Sequence, residues 1–162
     1  MQKTQIVSRN SALWNYIPGE VRGLLEDGEH LLMECHAYSG KVSDYSYVVF
    51  PFAKAYEGFL KRLFLDLDLI NEEDFYGEAI RIGRILNPIF KEKDYSVYSK
   101  LKRYGQPGEL AADKLWAIWR NGRNQVFHYF PHNFRRLTEK EAANIVKEFI
   151  SAMNSSIDLL NK

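Results

Sequence analysis

Apolar positions along this chain recur at the three-to-four-residue spacing of amphipathic helices, and no stretch keeps the two-residue alternation of a half-buried strand. The clearest pattern covers residues 45–69. At ~100° per residue, Val48, Val49, Phe52, Ala53, Tyr56, Phe59, Leu60, Leu63, Phe64 and Leu67 share one broad arc centred near Tyr56. Pro51 lies inside this pattern and is expected either to start the main helix or to kink it. An earlier helix is expected over 20–37, after Pro18-Gly19 and despite Gly23 and Gly28. Shorter helices are expected over 75–87, ended ahead of Pro88, and over 94–104. Gly105-Gln106-Pro107-Gly108 reads as a loop. A further helix should run from 109 toward 128, closed off by Pro131. The last helix has a marked start, because Thr138-Glu139-Lys140-Glu141 matches a capping box. Its stripe is Ala142, Val146, Phe149, Ile150, Met153, Ile157 and Leu160. The pattern predicts an all-α bundle of about five to six helices in one domain over 1–162, a length that suits a single core.

Composition changes this picture little. With 10 Tyr and 10 Phe, the core is expected to be built on rings. Trp14, Trp116 and Trp119 read as core or interface anchors. The single cysteine, Cys35, leaves no partner for an intrachain disulfide and no thiolate cluster, which suits a reducing, cytoplasmic setting. Met1-Gln2-Lys3-Thr4-Gln5 has no apolar run behind it, so no signal peptide is expected. The apolar stretch Tyr47 to Ala53 falls far short of the ~20 residues that cross a bilayer, so no membrane partner is expected.

Charge is more informative in its distribution than in its sum. The formal net charge of +1 excludes a globally basic nucleic-acid binder. Residues 81–103 are rich in Lys and Arg, but the acidic stretch Asp66–Glu78 offers a balance. Residues 120–136 carry Arg120, Arg123, Arg135, Arg136, His128 and His132 with no carboxylate among them. Such a segment presents local positive potential to a polyanion.

Within it, Arg123 is out of place. Leu115, Trp116, Trp119, Gly122, Val126 and Phe127 form the apolar arc of the helix, and Arg123 falls inside that arc, ~40° from Trp119. A charge aimed at a core requires a hydrogen-bonded partner. Glu57 sits ~100° from the centre of its own helix's apolar arc and is the candidate partner; the competing reading pairs Glu57 with Lys61 one turn on. Asn124 and His128, four apart, share the polar face with Arg120 and Asn121.

The string Arg123-Asn124-Gln125-Val126-Phe127-His128 resembles the signature of the HEPN superfamily, an Arg and a His four to six residues apart with a polar residue after the Arg. The resemblance covers about 45–160 and is strongest to the HEPN domain of RNase LS/RnlA-type toxins, where a glutamate on an earlier helix joins the motif; Glu57 occupies the matching place. Membership would imply a helical homodimer that cuts RNA without a metal, and a possible protein antitoxin. HEPN toxins paired with a minimal nucleotidyltransferase usually show His-x-Tyr; here Tyr129 follows His128 directly, which argues against that branch.

The expected chemistry assigns His128 to proton transfer, because imidazole titrates near neutrality. Arg123 is assigned to the scissile phosphate, because guanidinium grips two oxygens. Asn124 would orient phosphate or imidazole, and Glu57 would hold Arg123. Arg120, Asn121, Tyr129 and His132 are weaker candidates for RNA contact. Five residues on an ideal helix place Arg123 and His128 ~140° apart. Either the helix ends or distorts near Phe127, or two subunits each supply a motif. No cofactor is expected. No metal is expected either: Pro131 interrupts the turn between His128 and His132, and His30 and His36 show neither a second ligand pattern nor a carboxylate partner. The alternatives are a non-catalytic HEPN module that binds nucleotide or RNA or only dimerises, and a plain helical interaction domain.

Overall fold

A computed structural model describes residues 5–161, and among them there is no strand. The opening Met1-Gln2-Lys3-Thr4 lies outside the described residues. In chain order the α-helices are α1 (Ala12–Tyr16), α2 (Gly19–Cys35), α3 (Ser46–Asp66), α4 (Glu72–Tyr76), α5 (Ile82–Ile85), α6 (Val97–Lys102), α7 (Gly105–Ile118), α8 (Gln125–Phe127) and α9 (Glu139–Ile157). A π-helical segment, Trp119–Asn124, joins α7 to α8. The chain is all-α, divided more finely than five to six helices: α1, α4, α5 and α8 hold five residues or fewer. No helix of the described residues is long and apolar enough to cross a membrane.

α3 is the centre of the bundle, packed against α2 and α9 and touching the π segment. Every residue of its expected arc is buried, with Phe52, Tyr56, Phe59, Leu60, Leu63 and Phe64 fully so. Pro51 does not begin the main helix; it sits buried within α3, which starts at Ser46. Burying Tyr56 requires a partner for its hydroxyl. That hydroxyl donates to the Leu115 carbonyl of α7 at 3.1 Å, fixing α7 against α3. The Tyr56 ring packs on Phe149 of α9, with centroids 4.9 Å apart.

The N-terminal segment is held by a buried charge. Glu29 of α2 accepts from Arg9 Nη2 at 2.6 Å and from the Ile6 backbone N–H at 2.8 Å. Arg9 in turn lies 4.0 Å over the Trp14 ring.

Three expectations need correction. The single helix over 75–87 is two short ones. Asn71 closes a capping box on Asp74, so α4 starts early, and Gly77, extended at ψ 165°, ends it. The loop expected at Gly105–Gly108 is the first turn of α7. Gly105, at φ +72°, makes the reversal out of α6, and Pro107 falls where a helix leaves its N–H groups without intrahelical partners. The helix expected over 94–104 is confined to Val97–Lys102, capped by the Ser96 hydroxyl on the Ser99 N–H. α9 starts as expected: Thr138 and Glu141 form the capping box.

Candidate functional site

The site begins with a change of helical geometry. From Trp119 to Asn124 the chain takes the i→i+5 pattern of a π-helix, a distortion that is frequent at functional sites. The wider turn alters the rotation per residue, so an angular argument built on ~100° per residue fails across it. Trp119 remains buried, and Gly122 faces α9 so closely that a Cβ there would lie 2.7 Å from Phe149 Cζ. Arg123 is displaced out of the apolar arc. Its side chain is 41% exposed instead of buried. Val126 is only partly buried, and Phe127, expected in the core, is 39% exposed.

Arg123 finds the expected partner. Its Nη2 stands 3.6 Å from Glu57 Oε2, and Glu57, 33% exposed, occupies the boundary of α3 as the periodicity requires. No ion pair joins Glu57 to Lys61 among the described residues. The guanidinium also lies 4.9 Å over the Trp119 ring, so carboxylate and indole together position it. A pocket of about 200 Å3 opens here, lined by Phe50, Ala53, Lys54, Glu57, Arg123 and Phe127. Phe50 and Phe127 meet edge-to-face across it at 5.8 Å.

α8 ends at Phe127, and His128 turns to an extended conformation at ψ 133°. The helix therefore ends near Phe127, one of the two possibilities that the Arg-to-His spacing left open. His128 is exposed, does not line the Arg123 pocket, and makes no hydrogen bond or ion pair among the described residues. Asn124 is half-buried, at the end of the π segment, and is likewise absent from that lining. Within one chain the structure brings Arg123 and Glu57 together and leaves Asn124 and His128 apart from them.

The weaker candidates divide between surfaces. Arg120, Tyr129 and His132 are exposed, His132 in a left-handed conformation at φ +59°. Asn121 lines a different pocket of about 240 Å3, together with Gln125, Arg135 and Arg136. Arg135 stacks on Phe130 at 4.5 Å, and Arg123 is the one arginine of the 120–136 segment that forms an ion pair among the described residues.

The loop that leaves the motif is anchored by a residue that the sequence reading passed over. Asp44 accepts from Ser46 N–H and hydroxyl, from Asn133 Nδ2 and from Leu137 N–H. Burial alone would raise its pKa, but these hydrogen bonds outweigh it and hold the carboxyl below its ordinary range. Phe50 and Lys54 were missed as well. Both share a helical face with Glu57 on the α3 pattern, Lys54 one turn (three residues) and Phe50 two turns (seven residues) upstream, and that spacing was the available signal. No family model, curated protein or solved structure matches this chain.

Proposed function

We propose that this chain is a HEPN-type endoribonuclease that cleaves RNA without a metal. The observation that carries the reading is the half-exposed Arg123–Glu57 pair at the mouth of a pocket, five residues before an exposed histidine that begins a cation-rich loop. The partly exposed Arg123 keeps guanidinium surface available to an anion.

In the proposed reaction a neutral His128 takes the proton from the ribose 2′-hydroxyl. The O2′–phosphorus bond forms as the phosphorus–O5′ bond breaks, and O5′ receives a proton from a protonated imidazole. The products are a 2′,3′-cyclic phosphate and a 5′-hydroxyl. Arg123 neutralises the charge that grows on the phosphorane oxygens, Glu57 positions Arg123, and Asn124 orients phosphate or imidazole. One chain supplies a single motif histidine, and it stands apart from Arg123. A homodimer would provide the second proton-transfer group and join each arginine to the partner subunit's His128. A protein antitoxin and a cytoplasmic setting belong to the same proposal.

A second reading has its own support. His128 has no hydrogen-bonding partner to fix its tautomer or direction among the described residues, which suits a non-catalytic module that binds RNA or nucleotide. Incubation of labelled RNA with purified protein in EDTA separates the two. Cleavage that ends in a cyclic phosphate and is lost in Arg123→Ala supports the nuclease. Binding without cleavage supports the module.

A further inference from the structure

At the end of the bundle where α2 finishes and α9 begins, three side chains of different chemistry converge. Cys35 Sγ, His36 Nδ1 and one Glu139 carboxylate oxygen lie within 4.8 Å of one another. His36 Nδ1 is already in contact with Glu139 Oε1. We infer that Cys35, His36 and Glu139 form a zinc site that fastens the end of α2 to the first turn of α9. The inference is independent of the nuclease reading, since Glu57 and Arg123 lie elsewhere, on the middle of α3 and on the π segment.

The donor set fits a borderline-soft ion. Thiolate, imidazole and carboxylate are the ordinary ligands of zinc, whereas magnesium and calcium favour oxygen alone. Zinc–sulfur and zinc–nitrogen bonds of about 2.3 and 2.0 Å in a tetrahedron place donor atoms about 3.5 Å apart. To reach that, the His36–Glu139 contact opens and the wider separations in the group close, both by small adjustments. His36 is 75% exposed on a short 3-10 turn, and Glu139 has a flexible stem, so both are free to make them. Cys35 is the fixed member, buried and directed by the bond from its thiol to the Leu32 carbonyl at 3.2 Å.

Glu139 is also not engaged in capping its helix. The capping box of α9 is completed by Glu141, which accepts from the Thr138 N–H and hydroxyl. That leaves His36 as the partner of Glu139 among the described residues. A cavity of about 560 Å3, lined by Ser39, Tyr45, Thr138 and Glu139 among others, opens beside Glu139 and has room for a water as fourth ligand. On binding, the Cys35 S–H bond is replaced by a sulfur–zinc bond and one proton is released to solvent.

Cobalt(II) chloride titrated into the reduced, full-length protein tests the site. One equivalent should produce thiolate-to-cobalt charge-transfer absorption, and zinc should then bleach it. His36→Ala and Glu139→Gln should each weaken cobalt binding at least about tenfold, since even outer-shell partners of a metal site are worth that much. His36 is exposed, so its variant tests the site without a folding penalty. Cys35→Ser, checked for helical content by circular dichroism, should abolish the absorption. Absence of charge transfer in the wild type, or equal affinity in His36→Ala, overturns the site.

Discussion

Asn133 Nδ2 donates to Asp44 Oδ2 at 3.0 Å, and this bond ties the loop that follows the Arg-to-His motif to the N-terminal end of α3. The other Asp44 oxygen accepts from Ser46 and from the Leu137 N–H at 3.1 Å, so one carboxylate holds the chain at Asn133 and Leu137, just past the stretch that carries His128 and His132. Loss of those bonds should be felt as loss of loop order more than as loss of core.

Asp44→Ala is accordingly expected to cost about 1–3 kcal/mol, the range for leaving hydrogen-bonding groups without their acceptor. Urea unfolding followed by circular dichroism measures it. Asp44 and Glu141 both have carboxyls held below their ordinary range, Asp44 against the burial that would raise it and Glu141 by its bonds from Thr138. A depressed folded pKa stabilises above the unfolded value, about 4, and that contribution is lost as pH falls through the folded value. Stability should therefore hold at neutral pH and decline below about pH 4. The decline should be shallower in Asp44→Ala; equal acid sensitivity of wild type and variant would contradict this role.

Arg123→Ala should separate activity from stability. A partly exposed pair at 3.6 Å contributes no more than about 1 kcal/mol, equivalent to a few degrees in Tm. Cleavage in EDTA, if the nuclease proposal holds, should fall at least about 100-fold through loss of charge stabilisation. Glu57→Gln should leave an intermediate rate, because Trp119 still positions the guanidinium. A large Tm loss with retained cleavage would make Arg123 a structural residue.

Gly122→Ala tests the packing of the π segment on α9. The added Cβ would lie 2.7 Å from Phe149 Cζ and 3.2 Å from Ile145 Cγ2. Phe149 is fully buried against Tyr56 and has little room to yield. Overpacking of this kind costs about 1–3 kcal/mol. Denaturant midpoints for Gly122→Ala and wild type provide the check, and equal midpoints would show that the segment shifts freely.

Glu29→Ala should release the N-terminal segment. The Glu29 side chain is 6% exposed, and its loss strands the Ile6 N–H and Arg9. Because Arg9 stays partly solvated, the expected cost is about 2–4 kcal/mol, toward the lower side of that for breaking a buried pair. Arg9 would also leave the Trp14 ring, so tryptophan fluorescence should change before the cooperative transition.

Much of this protein was legible along the chain. Local pattern located α2, α3 and α9, the buried faces of α3 and α9 and, through its Thr-x-x-Glu motif, the start of α9, because each is a long helix whose pattern repeats over several turns. It also singled out Arg123 as a charge in need of a carboxylate, with Glu57 at the edge of α3. What the chain alone hid was decided by contacts between distant segments. Glycines and a proline that read as a loop became the start of α7, since Gly105 reverses the chain and the helix then packs on α6 and α9. A π segment that no local pattern announces turned Arg123 from the core toward a pocket. His36, for which the sequence offered no carboxylate partner, met Glu139 only when α9 folded back beside α2. Local patterning decides which faces are apolar; docking of those faces decides which polar side chains meet at their edges. The pairs Arg123–Glu57, Asn133–Asp44 and His36–Glu139 all lie at such edges.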